Sequence, residues 1–185
     1  GTQKIINSTG TDNPYWTMRN KPYSSKVNRL IVQGNLDYNP FSFLNFTYRL
    51  GTDYYTENFK GVRLPGTLEP SVNKGAINQS VSTNQITTST AILTGKKTIG
   101  SDFNFSLSVG NNIEVSALQT TTSTALNFLD PTFASINNSK PSDRTVSDAL
   151  LRRRIFSWFG DFNVDWKGIV YVNAKARNDW TSTLP

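Results

Sequence analysis

The sequence predicts an all-β chain of about six antiparallel strands folded as three hairpins. Apolar residues alternate with period two over six segments, and no segment repeats them at helical spacing with comparable quality. Turn-forming residues between the paired segments supply the third sign.

The first segment places Leu30, Val32, Gly34, Leu36 and Tyr38 on one face, against Ile31, Gln33, Asn35 and Asp37. Asn39-Pro40 breaks the run as a tight turn. Alternation resumes with Leu44, Phe46, Tyr48, Leu50, Thr52 and Tyr54 against Asn45, Thr47, Arg49, Gly51 and Asp53, which completes one long hairpin. In the second hairpin Ile86, Thr88, Thr90 and Ile92 line one face of a Thr-rich strand that ends near Gly95. Its partner sets Phe103, Phe105, Leu107 and Val109 opposite Asn104, Ser106, Ser108 and Gly110. The third hairpin alternates Phe156, Trp158, Gly160, Phe162, Val164 and Trp166 with Ser157, Phe159, Asp161, Asn163 and Asp165. It turns at Lys167-Gly168 and returns with Val170, Val172, Ala174 and Ala176 against Tyr171, Asn173, Lys175 and Arg177.

Composition removes whole classes of chemistry. The 185 residues suit one domain or part of a larger one. With no Cys, disulfide scaffolds, thiolate nucleophiles and Cys-ligated metals are excluded; with no His, Ser-His-Asp triads and imidazole metal sites go too. The longest apolar run, Ile169 to Val172, is far short of the roughly twenty residues a membrane-spanning helix needs. No charged-then-apolar start with a cleavage site opens the chain, which leaves the compartment open. The net charge of +6 fits nucleic acid, anionic lipid or plain solubility.

The connections are unequal. Turns within hairpins are short, whereas the segments at about 1–27, 55–78 and 112–151 are long and rich in Pro, Gly, Ser, Thr and Asn. Short turns alternating with long loops are the habit of transmembrane β-barrels. The smoother face carries no charge across the clear strands and ends in Tyr38, Tyr54 and Trp166. A soluble sandwich would also alternate, burying one face and wetting the other. Leu44 to Tyr54 and Phe156 to Trp166 have the length of a tilted bilayer-crossing strand. Pattern alone leaves both architectures open.

The closing string Arg177-Asn178-Asp179-Trp180-Thr181-Ser182-Thr183-Leu184-Pro185 resembles the signature at the end of a mid-barrel strand in SusC/RagA-type TonB-linked outer-membrane transporters. Asn13-Pro14-Tyr15-Trp16 is similar to the NPYW element of that family, Leu50-Gly51-Thr52-Asp53-Tyr54-Tyr55 to the end of its next strand, and Leu129-Asp130-Pro131-Thr132-Phe133 to the element before the RNDW hairpin. Order and spacing agree over nearly the whole chain.

The resemblance implies an antiparallel transmembrane β-barrel segment of a larger, plugged barrel of about 22 strands. It implies a Bacteroidota-type Gram-negative outer membrane and import of oligosaccharides or peptides beneath a SusD-like surface lipoprotein. Energy would come from the TonB complex through regions outside this chain, and no cofactor is implied. Six strands alone leave two edges unclosed, so residues 1–185 are expected to be a partial barrel domain without a plug. Two other readings stand beside this one: a soluble surface β-protein binding carbohydrate, and a SusC-like barrel serving as a structural subunit of an envelope assembly.

Within this frame Arg49, Asp53, Asp161, Asp165, Lys175, Arg177 and Asp179 are expected to face the lumen or plug. Tyr15, Trp16, Tyr55 and Trp180 lie at or beyond the outer strand ends, as candidates for stacking on substrate or as interface-belt aromatics. Arg152, Arg153 and Arg154 fall where a strand enters the membrane from an outward loop. They are candidates for lipopolysaccharide phosphates, because a guanidinium binds phosphate bidentately; a solvated loop end or pairing with the plug is the alternative. No aromatic interleaving accompanies them, so no nucleic acid is expected. The same-face carboxylates Asp53/Glu57 and Asp161/Asp165 are about 13 Å apart along a strand, too far for the roughly 5–9.5 Å of glycosidase pairs. No enzyme activity and no metal site are expected.

Overall fold

The computed structural model describes residues 11–184. Six strands, β1 (Tyr23–Phe41), β2 (Leu44–Arg63), β3 (Ala76–Ile99), β4 (Phe103–Leu126), β5 (Arg144–Trp166) and β6 (Val170–Leu184), form one antiparallel sheet. Neighbours in the sheet are neighbours in sequence, so β1 and β6 are its two edges. Residues 1–10 and Pro185, which include the start of the expected 1–27 loop and the last residue of the RNDW string, lie outside the described residues.

Every strand outruns its alternating stretch. The expected loops at 55–78 and 112–151 shrink to 64–75 and 127–143, and β1 begins inside the expected 1–27 loop. The physical reason is that residues such as Ser80, Thr83, Thr120 and Thr122 hold strand geometry while polar on both faces, so no hydrophobic period marks them. Two turns also move. The first is at Ser42-Phe43, with Asn39-Pro40 inside the end of β1; a proline is tolerated there because β1 has a single sheet neighbour. The second is at 100–102, where Gly100 takes φ +61°, while Gly95 lies within β3. The third turn is where the sequence places it, with Lys167 at φ 53° and Gly168 at φ 69°. There Asp165 accepts from the Gly168 N–H at 2.8 Å.

Two compact units can be described separately. Among the described residues, one comprises 11–28, 55–83 and 118–150, the strand portions next to the long connections. Its core is Val62, Ile77, Ala125 and Phe128, with Leu64, Ala134 and Ile136 packed against them. A short helix, α1 (Pro14–Asn20), belongs here. Asn13 caps it by accepting from the Tyr15 N–H at 3.0 Å, and Pro14 occupies the first turn, where no N–H partner is needed. The NPYW element is thus a helix start. Asp12 anchors the 64–75 connection, accepting from Thr67 Oγ1 at 2.6 Å and the Leu68 N–H at 2.7 Å, with Lys21 Nζ 2.6 Å away.

The 127–143 connection is organised by the buried Asn138. Its amide donates to the carbonyls of Asp130 (2.7 Å) and Phe133 (2.6 Å) and accepts from the Asp130 N–H (2.9 Å). Asp130 in turn accepts from the Thr132 hydroxyl (2.6 Å) and N–H (2.8 Å). These bonds, the hydroxyl's first, hold its carboxyl below the usual carboxylate range. A depressed folded-state pKa stabilises above the unfolded value and is lost as pH falls through the folded one. The Asp130–Thr132 turn is therefore expected to survive acidification past the ordinary aspartate range. Amide exchange at Thr132 through an acid titration checks this; opening at or above that range would contradict it.

The second unit comprises, among the described residues, 29–54, 84–117 and 151–184. Cross-strand bonds fix its faces. Thr47 donates to Asp37 at 2.5 Å on the β1–β2 pair, and Thr90 and Thr98 donate to Asn112 (2.7 Å) and Asn104 (2.8 Å) on the β3–β4 pair. Asn104 donates to Asp165 at 3.2 Å, which carries the same face onto β5. Ile86, Thr88, Thr90 and Ile92 therefore share the polar face. Thr87 and Ser89 lie on the other one, beside Thr52 (3.1 Å) and Tyr48 (3.0 Å).

Candidate functional site

The two faces of the second unit differ in kind. On the apolar face Leu30, Val32, Leu36, Leu50, Leu107, Val109, Phe162 and Val172 are all exposed. Two aromatic groups bound this band. Phe103 stacks with Phe105 (6.1 Å) and Trp166 (6.5 Å) near the short turns. Farther along, Phe156 packs on Trp158 (6.2 Å) and Trp180 (5.8 Å). The ten-residue step from Trp166 to Phe156 is about 33 Å of strand, or about 23 Å of depth at a 45° tilt. That matches the apolar band of roughly 25 Å, girdled by aromatics, on outer-membrane barrels.

The polar face is a wall of paired charges. Arg29 grips Asp53 with two bonds, Nε to Oδ1 at 2.9 Å and Nη2 to Oδ2 at 2.5 Å. Asp161 meets Lys175 Nζ at 3.2 Å and accepts from Asn163 (2.6 Å) and Asn173 (2.9 Å). Arg177 binds Asp179 at 2.8 Å and donates to the buried Ser157 hydroxyl at 3.1 Å. Asp165 is held by Asn104 and by its own turn. Arg49 is exposed on this face and makes no ion pair among the described residues. Solvent-exposed pairs of this kind contribute about 0–1 kcal/mol each, so their effect is to fix side-chain positions rather than to hold the sheet together. Gly110 serves the same wall differently. The Phe159 ring lies over it, and a Cβ there would fall 2.2 Å from the ring.

Of the predicted wall residues, the structure brings Asp161, Lys175, Arg177 and Asp179 together across β5 and β6, where Phe159 opposes Arg177 and Asp161 opposes Lys175. The carboxylate pairs considered for catalysis are engaged elsewhere: Asp53 with Arg29, and Glu57 with the Ser25 hydroxyl at 2.6 Å. Asn104, Ser157 and Asn173 sit on the polar face as alternation places them, and Arg29 joins them from just before the first alternating run; none of the four carries a local signal of its partner. Their signal is register, which assigns each carboxylate its cross-strand partner once the turn is placed.

The aromatic candidates separate. Tyr15 projects from α1 at 83% exposure, whereas Trp16 is half-buried against Gly66, whose position allows an atom 3.5 Å from the indole. Tyr55 is half-buried on β2. Trp180 stands on the apolar face in the Phe156 cluster, the position of a belt residue. Arg153 turns to the polar face, 3.5 Å from Glu114, and Arg152 and Arg154 alternate to the other.

A single sheet with an exposed, aromatic-banded apolar face and a charge-paired polar face has the architecture of an outer-membrane β-barrel wall. Solved structures specify the kind: the chain has the fold of a barrel segment of SusC/RagA type. It matches a chain of the RagAB peptide importer in the "closed-closed" state at 15% identity and TM-score 0.86, over 98% of this chain and 21% of that one. The "open-open" state matches at 16% identity and TM-score 0.84, over 98% and 20%. A RagAB peptide transporter matches at 17% and 0.82, over 92% and 19%. The chain thus spans about one fifth of the length of the chains it matches. No family model and no curated relative matches the sequence.

Proposed function

We propose that this chain forms part of the wall and outward loops of a TonB-dependent outer-membrane importer. The observation that carries this is the match of 98% of the chain to the RagAB peptide importer. Within such a barrel the apolar face meets lipid and the polar wall meets the lumen or plug. The short turns at Ser42-Phe43, 100–102 and 167–169 face the periplasm, and the connections at 64–75 and 127–143 face outward. The substrate is a peptide or an oligosaccharide, and the likeness to a peptide importer favours peptide. A SusD-like surface lipoprotein is the expected partner on the loop side, and TonB the source of energy through regions outside this chain. The wall residues position and do not react, so no catalytic role is assigned to them. A soluble carbohydrate-binding sandwich would cover its apolar face with a second sheet, and the described residues form one sheet.

Fractionation of the native source tests this. Peptides of this chain should appear in a detergent-extracted outer-membrane band far larger than 20.6 kDa that shifts on boiling. A soluble, monodisperse species of 20.6 kDa would overturn the transporter reading.

A further inference from the structure

The Arg152-Arg153-Arg154 run is divided by the pleat of β5. Arg153 pairs with Glu114 on the polar face. Arg152 and Arg154 are exposed on the apolar face, and neither has an ion-pair partner among the described residues. Moving along that face toward the turn, the next side chains are Phe156 and Trp158, with Trp180 packed on Phe156 from β6. Arg154 stands opposite Ser182 in the ladder, a neighbour that carries no charge. The next charged residue of the face in the other direction is Asp148, four positions past Arg152 and about 13 Å along the strand.

Two consequences follow from this order. A residue two positions past an aromatic belt on a tilted strand is about 5 Å farther from the hydrocarbon centre, the level of headgroups rather than of acyl chains. Two guanidinium groups at alternate strand positions are about 7 Å apart at their Cα atoms, close enough for both forks to reach one phosphate or two phosphates of one headgroup. Exposed cations with no protein partner at that depth meet anionic lipid without losing an existing bond.

We propose that Arg152 and Arg154 hold the phosphate of an anionic glycolipid in the loop-side leaflet, with its acyl chains lying along Phe156, Trp158 and Trp180. Arg153 takes no part. The site rests on the barrel reading above, because it needs the apolar face of β5 to border lipid.

The test uses the intact barrel containing this chain, in micelles doped with a bis-phosphorylated glucosamine lipid, with retained lipid counted by native mass spectrometry. Arg152→Gln/Arg154→Gln is expected to lose roughly tenfold in lipid retention, the scale of losing charge-assisted bonds, while Arg153→Gln retains as much as the parent. Unchanged retention in the double variant would overturn the proposal, as would an equal loss in Arg153→Gln. Displacement of the lipid by inorganic phosphate alone would also overturn it, since the site would then bind a free anion. The heat-dependent gel shift of each variant shows that its barrel is closed. If the parent itself shows no such band, the barrel reading fails, and not merely the lipid site.

Discussion

Replacing Val32 by arginine is expected to destabilise the intact barrel by about 2–4 kcal/mol, the cost of a cation near mid-membrane on a lipid-facing strand. Val32 lies in the middle of the β1 apolar band and is 55% exposed, so its side chain has no protein core to retreat into. The neighbouring Gln33 is also exposed, on the polar face, where its amide reaches Asn35 at 3.3 Å. Gln33→Arg should stay within about 0.5 kcal/mol. Denaturant unfolding in lipid vesicles measures both, and equal costs would reject the assignment of faces. Thr47 would be a poorer comparison although alternation puts it on the polar face. It is 8% exposed and donates to Asp37 and Asn45, so an arginine there would break packing as well as change charge.

The second large effect is expected at Gly75. Its φ of +96° is one that L side chains rarely adopt, and a Cβ there would lie 2.4 Å from the Phe128 ring. Neither party has room to move. The Gly75 N–H bonds the Val72 carbonyl and its own carbonyl accepts from Asn127, both at 2.9 Å, while Phe128 is buried in the loop core. Backbone strain and overpacking together put the cost of Gly75→Val at about 3 kcal/mol. The loss should be local: amide protection should fall at Leu129 and Asn138 while the barrel's gel shift persists. Gly34→Ala, where nothing lies within 4 Å of the new carbon, should be nearly silent by both measures. Equal loss of protection in the two variants would refute the packing argument.

These two sites also mark what is legible in the sequence. Val32 is legible because a strand with one lipid-facing side, as proposed here, must put an apolar side chain at every second position, and Leu30 to Tyr38 show that alternation directly. Leu44–Tyr54 and Phe156–Trp166 stand out for the same reason, as parts of β2 and β5. In the proposed barrel the constraint lapses beyond the bilayer. Water satisfies either face, so residues 76–85 and 113–126 continue as strand with no period to betray them. The face of β3 is illegible for another reason. Ile86 and Ile92 suggest an apolar side, but Thr87 and Ser89 are no more polar than Thr88 and Thr90, and only pairing with Tyr48 and Thr52 decides.

The wall residues are legible singly and not as pairs. Asp53, Asp161, Lys175 and Arg177 follow from alternation, whereas Arg29 gains its role from a partner 24 residues away. The loop core lies wholly beyond local pattern. Gly75 against Phe128 and Asp12 against Thr67 are contacts between segments that nothing in their own sequence brings together.

The sheet's linear order, with β1 and β6 each paired on one side only, bears on what folding means for this stretch. A barrel wall of this kind is a link in a ring, and a ring has no stable arc. In the proposed barrel the outer hydrogen-bonding groups of β1 and β6 would be satisfied by strands outside this stretch, and in hydrocarbon each one left open costs several kcal/mol. On that reading no unfolding free energy belongs to these residues alone. Whatever stability they show is a joint property with their neighbours, as it is for an obligate oligomer whose subunits have no folded life apart. The same open borders would make the isolated stretch pair with copies of itself before anything else, so its correct partners must arrive early and in order.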